Sequence, residues 1–175
     1  MACLKKLASQ KPKEVIIATF NIYAGILHDG NDTHQWGEKY RSEVHELLDI
    51  LNSVPKVRIL VGFQPLIQCI KTGCEDCVTN HYARAVRLVK HAEHWPKLEW
   101  KYVEKSHFKC NLYYFAKGCI GVTGGRNLSG SDWADISFVM NDRQVKSARK
   151  LFDEQWKLAT KATLKNVEKT IECQL

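Results

Sequence analysis

Two uninterrupted apolar runs constrain how this chain can fold. The first extends from Glu14 to Tyr23 (Glu-Val-Ile-Ile-Ala-Thr-Phe-Asn-Ile-Tyr), and the second from Val57 to Phe63 (Val-Arg-Ile-Leu-Val-Gly-Phe). Both are rich in β-branched and aromatic residues, which favour strands. Strands that are covered on both faces carry such continuous apolar runs instead of a polar alternation. The two runs therefore predict buried strands.

Apolar residues recur every three or four positions in three other stretches, which predicts three amphipathic helices. Pro55 and Pro96 close the first two helices, and Asn141 or Asp142 caps the third. The residues on the three apolar faces are Tyr40, Val44, Leu47, Leu48 and Leu51; Tyr82, Ala85, Val86 and Val89; and Val145, Ala148, Phe152 and Trp156. The resulting order, β-α-β-α-β-β-β-α, predicts an α/β fold with a mixed sheet flanked by helices. At 175 residues, one domain is expected.

A histidine and a lysine two positions apart end an alternating apolar segment. The segment carries Leu98, Trp100 and Tyr102, and His107 and Lys109 follow in Ser-His-Phe-Lys-Cys. Side chains two apart on a strand point to the same face, so the pattern predicts that the imidazole and the ammonium project together. An imidazole can act as a nucleophile or proton carrier near neutral pH. A lysine charge can hold a phosphate oxygen, so the pair suits attack on a phosphodiester.

A glycine-rich turn ending in asparagine follows another apolar run, Cys119 to Thr123. The turn reads Gly-Gly-Arg-Asn at 124–127. Gly124 and Gly125 let the backbone approach a substrate closely. The amide of Asn127 can bind a second phosphate oxygen. The turn is thus a candidate partner of the His-x-Lys pair.

Together these residues resemble the motif of the phospholipase D superfamily. That motif is His-x-Lys, then an aspartate, then a glycine-rich turn ending in asparagine, then an acidic residue. The residues that match it are His107, Lys109, Gly124, Gly125 and Asn127. The resemblance covers nearly the whole chain and implies a single phospholipase D-like repeat. It implies a basic N-terminal segment over 1–13, a catalytic domain over 14–160 and a polar C-terminal tail over 161–175.

Two positions depart from the family motif. Tyr114 stands where the family carries its aspartate, and Gly125 stands where the turn usually has serine. Asp135 lies where the family carries its acidic partner, and it opens a strand-like run. The change at Tyr114 affects the interactions that support the lysine and the fold around it. It leaves the histidine, lysine and asparagine chemistry in place.

The resemblance implies a catalytic site shared by two copies of the chain. Family enzymes build one site from two His-Lys motifs, whereas this chain carries one motif and no internal repeat. A homodimer would therefore complete the site. One His107 would attack phosphorus to form a phosphohistidine, and the other would protonate the leaving oxygen and then activate water. Lys109 and Asn127 would hold the phosphate, Asp135 would be the acidic partner, and catalysis would need no metal cofactor.

The charge balance favours a polyanionic substrate. Twenty-six Lys and Arg residues against 19 Asp and Glu residues give a formal net charge of +7, which favours nucleic acid. No apolar run reaches membrane-spanning length, and the first residues are too polar for a secretory signal. We therefore expect a cytoplasmic protein without a membrane anchor. DNA is favoured over RNA. The candidate backbone contacts are Lys101, Lys105, Lys117 and Arg126, of which Arg126, inside the motif turn, is favoured over the lysines.

The cysteines raise the question of zinc. Seven cysteines are present, and reduced thiols are the default without a secretion signal. One cluster has the pattern Cys-x4-Cys-x2-Cys-x3-His, and three thiolates with one imidazole can complete a tetrahedral Zn²⁺ site. Its residues are Cys69, Cys74, Cys77 and His81. Such a zinc would be structural, because a catalytic site keeps an open position. Unligated thiols are the alternative.

The remaining histidines receive weaker expectations. His28 and His34 lie in a loop that also carries aspartates, where exposed side chains are favoured over a metal site. His45, His91 and His94 lie on predicted helices and are expected at the surface.

Three functions stay open at the level of sequence. The favoured one is a hydrolase, a metal-independent endonuclease or phosphodiesterase acting on nucleic acid. The second is a phospholipid phosphodiesterase with the same chemistry. The third is a nucleic-acid-binding module whose catalytic site has decayed, which Tyr114 permits. An α/β domain unrelated to the superfamily is the alternative to all three.

Overall fold

A computed structural model describes residues 1–20, 22, 38–63, 88–104, 106–124 and 137–172. Within them, seven strands form one mixed sheet and five helices flank it, so the predicted α/β class is confirmed. The strands are β1 (Glu14–Thr19), β2 (Val57–Phe63), β3 (Glu99–Glu104), β4 (Cys110–Phe115), β5 (Gly118–Gly124), β6 (Ser137–Val139) and β7 (Thr160–Lys161). The helices are α1 (Ala2–Ser9), α2 (Glu38–Leu51), α3 (described over 88–94), α4 (Asp142–Leu158) and α5 (Leu164–Glu172). None of these helices is long and apolar enough to cross a membrane.

The strands are arranged in the order β6-β5-β4-β1-β2-β3-β7. The central strands β1, β2 and β3 run parallel, and the pairings of β4, β5, β6 and β7 are antiparallel. Consequently β1, β2 and β3 end at one edge of the sheet. At that same edge β4 begins, β5 ends and β6 begins. We call it the carboxyl edge.

Both faces of the central strands are buried, as their apolar runs predict. On β1, Val15 and Ile17 contribute to one hydrophobic cluster, whereas Ile16 and Ala18 contribute to the other. The first cluster includes residues of α1, α2, α3 and α5, and the second includes residues of α4. The chain is therefore layered helix, sheet, helix, with β1 and β2 at the centre.

Helix α4 begins at a capping box. Asn141 Oδ1 accepts a hydrogen bond from the Gln144 backbone N–H at 3.0 Å, and Gln144 Oε1 accepts one from the Asn141 backbone N–H at 2.9 Å. Two backbone donors at the helix start are thereby satisfied. Of the two predicted capping residues, Asn141 is the cap.

The terminal segments pack against the same layer as α2. In α1, Leu7 and Ala8 are buried, and Lys5 pairs with Glu46 of α2 at 2.6 Å. At the other end, β7 pairs with β3, and Val167 of α5 joins the first hydrophobic cluster. The predicted domain boundaries after 13 and 160 stay predictions.

Candidate functional site

The chain between β3 and β4 crosses the carboxyl edge of the sheet. Because β4 lies beside β1, both β1 and β2 separate the end of β3 from the start of β4. Residues 106–109 have no regular secondary structure. The prediction that His107 and Lys109 lie on a strand is therefore wrong. The sheet order makes this segment pass over strand ends, and the alternating strand stops at Glu104.

Gly62 lets this crossing segment approach β2 closely. A Cβ at position 62 would lie 2.0 Å from the backbone oxygen of Ser106, so only a residue without a side chain fits. The Ser106 hydroxyl donates a hydrogen bond to Gln155 Oε1 of α4 at 2.7 Å. The residue directly before His107 is thus held between β2 and α4.

The ring of His107 stacks on Phe20, the residue that follows β1. The ring centroids are 4.1 Å apart and the planes differ by 13°. Parallel stacking orients the imidazole, while the residue as a whole stays exposed. His107 therefore presents an exposed imidazole at the carboxyl edge, a group that is able to carry a proton or act as a nucleophile.

Lys109 lines a cavity of about 360 Å³ at the same edge. Its backbone oxygen accepts a hydrogen bond from Thr123 Oγ1 at 2.8 Å, which ties the residue before β4 to the end of β5. Gly124, the first residue of the predicted turn, lines the same cavity. The other lining residues are Met1, Cys3, Leu4, Ala18, Thr19, Asn111, Val122, Thr123, Ser137, Phe138 and Val139. The structure thus brings Lys109 and Gly124 together, with His107 on the same edge but outside the cavity lining.

Asn111 is a polar cavity residue that the sequence analysis does not single out. It lies on β4, two residues after Lys109, opposite Ile17 of β1 and Val122 of β5. Its Oδ1 is buried and has no hydrogen-bond partner among the described residues. An unsatisfied buried acceptor costs about 1–3 kcal/mol, so a donor group on a ligand would be favoured there. The feature of the sequence that could have identified Asn111 is its side-chain amide near the start of an otherwise apolar strand.

Most of the other predicted site residues lie outside the described residues, and their roles stay predictions. For the catalytic site these are Lys105, Gly125, Arg126, Asn127 and Asp135. For the zinc site these are Cys69, Cys74, Cys77 and His81.

Tyr114 lies near the end of β4, whereas Lys109 lies just before the start of that strand. Tyr114 is opposite Glu14, the first residue of β1. The guanidinium of Arg149 lies over its ring, 5.2 Å from the centroid. Burial raises the pKa of the Tyr114 hydroxyl, and a hydrogen bond with Arg149 opposes this increase. The position where the family carries its aspartate therefore faces a charge network, not the cavity.

That network joins α4 to β1 and β2 through two arginines and two carboxylates. Arg58 Nη2 donates to Glu14 Oε1 at 2.9 Å, and Arg58 Nη1 donates to Asp153 Oδ1 at 3.1 Å. Arg149 also contacts both carboxylates, at 3.0 and 2.7 Å. Arg58 is only 7% exposed and lies 5.1 Å from the Phe152 ring centroid. Each charged group thus has a partner of opposite sign, and the network links α4 to the sheet, while Arg58 Nε is buried without a hydrogen-bond partner among the described residues.

The network also shifts the acidity of its carboxylates. Burial alone would raise the pKa of Glu14, but hydrogen bonds from Arg149 and Lys56 and the arginine charges outweigh it. Burial likewise raises the pKa of Asp153, but the hydrogen bonds from Arg149 and Arg58 and the charges of these arginines outweigh it. Both pKa values are therefore lowered, and both groups remain charged in the folded protein.

A larger cavity, of about 540 Å³, lies between α3, β3 and the start of α5. Of the predicted site residues, its lining contains only Lys101. The ammonium of Lys101 there donates to the backbone oxygen of Trp156 at 3.0 Å and lies 4.8 Å from that indole. The smaller cavity at the carboxyl edge is therefore the candidate site. The chain matches no family model and no curated protein.

Proposed function

We propose that this chain is a metal-independent phosphodiesterase of the phospholipase D superfamily that hydrolyses nucleic acid. One observation carries the proposal: Lys109 and Gly124 come from separate parts of the motif and line one cavity. His107 lies at the same edge, stacked on Phe20. Open α/β sheets bind ligands beyond the carboxyl ends of their strands. The mixed sheet with helices on both faces is also consistent with a single phospholipase D-like repeat.

In the proposed mechanism, a ring nitrogen of His107 attacks phosphorus and forms a P–N bond as the P–O bond to the leaving group breaks. His107 of the partner subunit gives a proton to the departing oxygen. Water, deprotonated by that second imidazole, then attacks phosphorus and releases His107. Lys109 balances the charge that develops on the phosphate oxygens. Asn127, Arg126 and the backbone of the turn would complete the phosphate contacts.

We propose that a second copy of the chain binds along the open side of strand β6. Among the described residues, β6 is one of the two end strands of the sheet, and Phe138 and Val139 on it are 62% and 74% exposed. Both residues also line the cavity that contains Lys109. A symmetric contact through β6 would cover the exposed side chains of Phe138 and Val139 and bring the two candidate sites close together. Each chain carries one His-x-Lys motif, so the proposed reaction needs a partner to supply the second His107.

The net charge of +7 supports nucleic acid as the substrate, and a dimer doubles that charge. Phosphate contacts by lysine and arginine make affinity fall steeply with salt. DNA is the favoured substrate, and RNA is compared with it in the same assay.

The test is cleavage of plasmid, single-stranded DNA and RNA in excess EDTA. We expect EDTA-resistant cleavage that falls at least about 10³-fold in His107→Ala and about 10²-fold in Lys109→Met. Lys117→Met is the matched control, because Lys117 is exposed in the turn between β4 and β5, at the other edge of the sheet. It should retain full activity.

Several outcomes would overturn the proposal. Cleavage that persists in His107→Ala would remove the histidine from the mechanism. Loss of cleavage in EDTA, with circular dichroism unchanged, would indicate a metal-dependent enzyme. DNA binding without turnover would favour the decayed binding module, and cleavage of phospholipid vesicles alone would favour the lipid enzyme.

The dimer is tested by sedimentation of Phe138→Glu. The introduced charge should dissociate the dimer and abolish cleavage together, because the site needs two copies. Leu158→Glu is the control, since Leu158 at the end of α4 is 80% exposed and distant from β6 in sequence and in the fold. A wild-type chain that is monomeric and fully active would refute the shared site.

A further inference from the structure

Three metal-ligating side chains meet on two helices outside the candidate active site. His45 and Asp49 lie one turn apart on α2, and His94 ends the described part of α3. One ligand atom from each lies within 4.8 Å of the others. His94 comes shortly before the start of β3, so the cluster lies toward the end of the sheet opposite the carboxyl edge. We propose that these three residues bind a zinc-type divalent cation.

The spacing of the ligand atoms fits a shared ion. His45 Nε2 lies 3.5 Å from Asp49 Oδ2. Two ligands about 2.1 Å from a tetrahedral zinc are about 3.4 Å apart, so this pair already has the separation that zinc requires. His94 closes the third corner, because its ring centroid is 5.4 Å from that of His45. Because the three ligand atoms lie within 4.8 Å of one another, a shift of the His94 imidazole by about 1 Å would bring them to zinc-binding separation.

Trp95 orients all three ligands from beneath. It is 1% exposed, and its indole N–H donates a hydrogen bond to Asp49 Oδ1 at 2.8 Å. That hydrogen bond occupies one carboxylate oxygen of Asp49, and the other oxygen, Oδ2, faces His45. The rings of His45 and His94 both pack edge-on against the indole, at 5.0 and 4.6 Å between centroids. Hydrogen-bonded outer groups of this kind hold metal ligands in place.

The ligand types select the class of ion. Two imidazoles and one carboxylate suit Zn²⁺ and similar transition metals, whereas Mg²⁺ and Ca²⁺ prefer oxygen ligands alone. Three protein ligands leave the fourth tetrahedral position for water or another group. The ion would connect α2 to α3. It would be separate from the predicted cysteine site, which uses other residues, and from the metal-independent chemistry proposed above.

The test measures Zn²⁺ and Co²⁺ binding to the full chain after chelation and buffer exchange. We expect the wild type to bind one more equivalent than His94→Gln, and we expect Asp49→Asn to lose that same equivalent. Trp95→Phe keeps the ring and removes the N–H, so affinity at this site should fall about 10- to 100-fold. Glu93→Gln is the control, because it neutralises an exposed carboxylate next to His94, and it should bind as the wild type does.

Cobalt spectra separate this site from the cysteines. Binding at His45, Asp49 and His94 gives the visible bands of nitrogen and oxygen ligands, without thiolate charge transfer. Zinc should also raise the melting temperature of the wild type and of Cys74→Ser more than that of His94→Gln. Equal stoichiometry and affinity in the wild type, His94→Gln and Asp49→Asn would show that the cluster is only an ion pair with ring packing, and would overturn the proposal.

Discussion

Replacing Gly62 with alanine tests whether close contact with β2 positions the segment that carries His107. The added Cβ would lie 2.0 Å from the backbone oxygen of Ser106 and 3.0 Å from a ring carbon of Phe20. Even a close carbon–oxygen contact is about 3.3 Å, so the backbone at Ser106 must move by about 1 Å. Phe20 must move as well, and His107 is stacked on its ring.

The expected cost is large for a single methyl group. Overpacking costs about 1–3 kcal/mol, and the upper end applies because the obstacle is backbone that cannot rotate away. About 3 kcal/mol corresponds to a fall in melting temperature of about 10 °C for a chain of this size. A 1 Å displacement of His107 should also lower any cleavage about 10²-fold. Urea unfolding followed by circular dichroism measures the free energy of unfolding.

Gly121→Ala is the matched control on another strand. Its Cβ would meet side-chain atoms, Val145 Cγ2 at 2.8 Å and Met140 Sδ at 3.0 Å, which can move more readily. We expect a smaller loss, about 1 kcal/mol. Proton NMR of the His107 imidazole gives a second readout, because stacking on Phe20 shifts its resonances. Wild-type stability and unchanged His107 resonances in Gly62→Ala would refute the inference that this contact sets the segment.

Three further results follow from the packing and the charges. The pKa values of Glu14 and Asp153 are lowered in the folded protein, so their contribution to stability is complete above the ordinary carboxyl pKa and is lost as pH falls below about 4. The free energy of unfolding, measured as a function of pH, should show this decrease. A flat profile would contradict it. Tyr113→Phe should be neutral or stabilising in urea unfolding, since the buried hydroxyl has no partner among the described residues. Phe152→Ala should lower the free energy of unfolding by about 3–5 kcal/mol, whereas Leu151→Ala, at its exposed neighbour, should lower it by less than about 0.5 kcal/mol. Equal losses in the two variants would count against the packing described for α4.

The central strands could be predicted because their sequence reports their burial directly. The run Val57 to Phe63 coincides with β2, and the first run contains β1, Glu14–Thr19. Both strands are covered on two faces, so they need apolar residues at nearly every position. The start of α4 was predictable as well, because a capping residue acts on its own helix. Asn141 caps it through contacts three residues away.

The crossing segment could not be predicted because its course depends on strand order. The alternation through Trp100 and Tyr102 predicts a strand that reaches Lys109, but the strand ends at Glu104. Only the pairing of β4 with β1 makes residues 106–109 cross the sheet edge. That pairing joins residues far apart in the chain, and no local pattern encodes it.

The metal-ligating cluster was missed for a similar reason. The pair His45 and Asp49 has a spacing that places both on one face of a helix. The third residue, His94, comes from a different helix, and only the packing of α2 on α3 brings it near. His91, expected at the surface, is instead fully buried. One turn of a helix is enough to separate a buried histidine from an exposed one.

The departure at Tyr114 acts on stability more than on the candidate site. β4 begins at Cys110, so about four residues of extended strand, or about 13 Å, separate its start from Tyr114. A side chain at position 114 therefore cannot contact Lys109 directly. Its neighbour Arg149 is already paired with Glu14 and Asp153. Those two carboxylates place negative charge at this end of the sheet, and the half-buried phenol of Tyr114 lies beside the guanidinium of Arg149. The substitution is thus compatible with an intact His107 and Lys109, which lie beyond the other end of the strand.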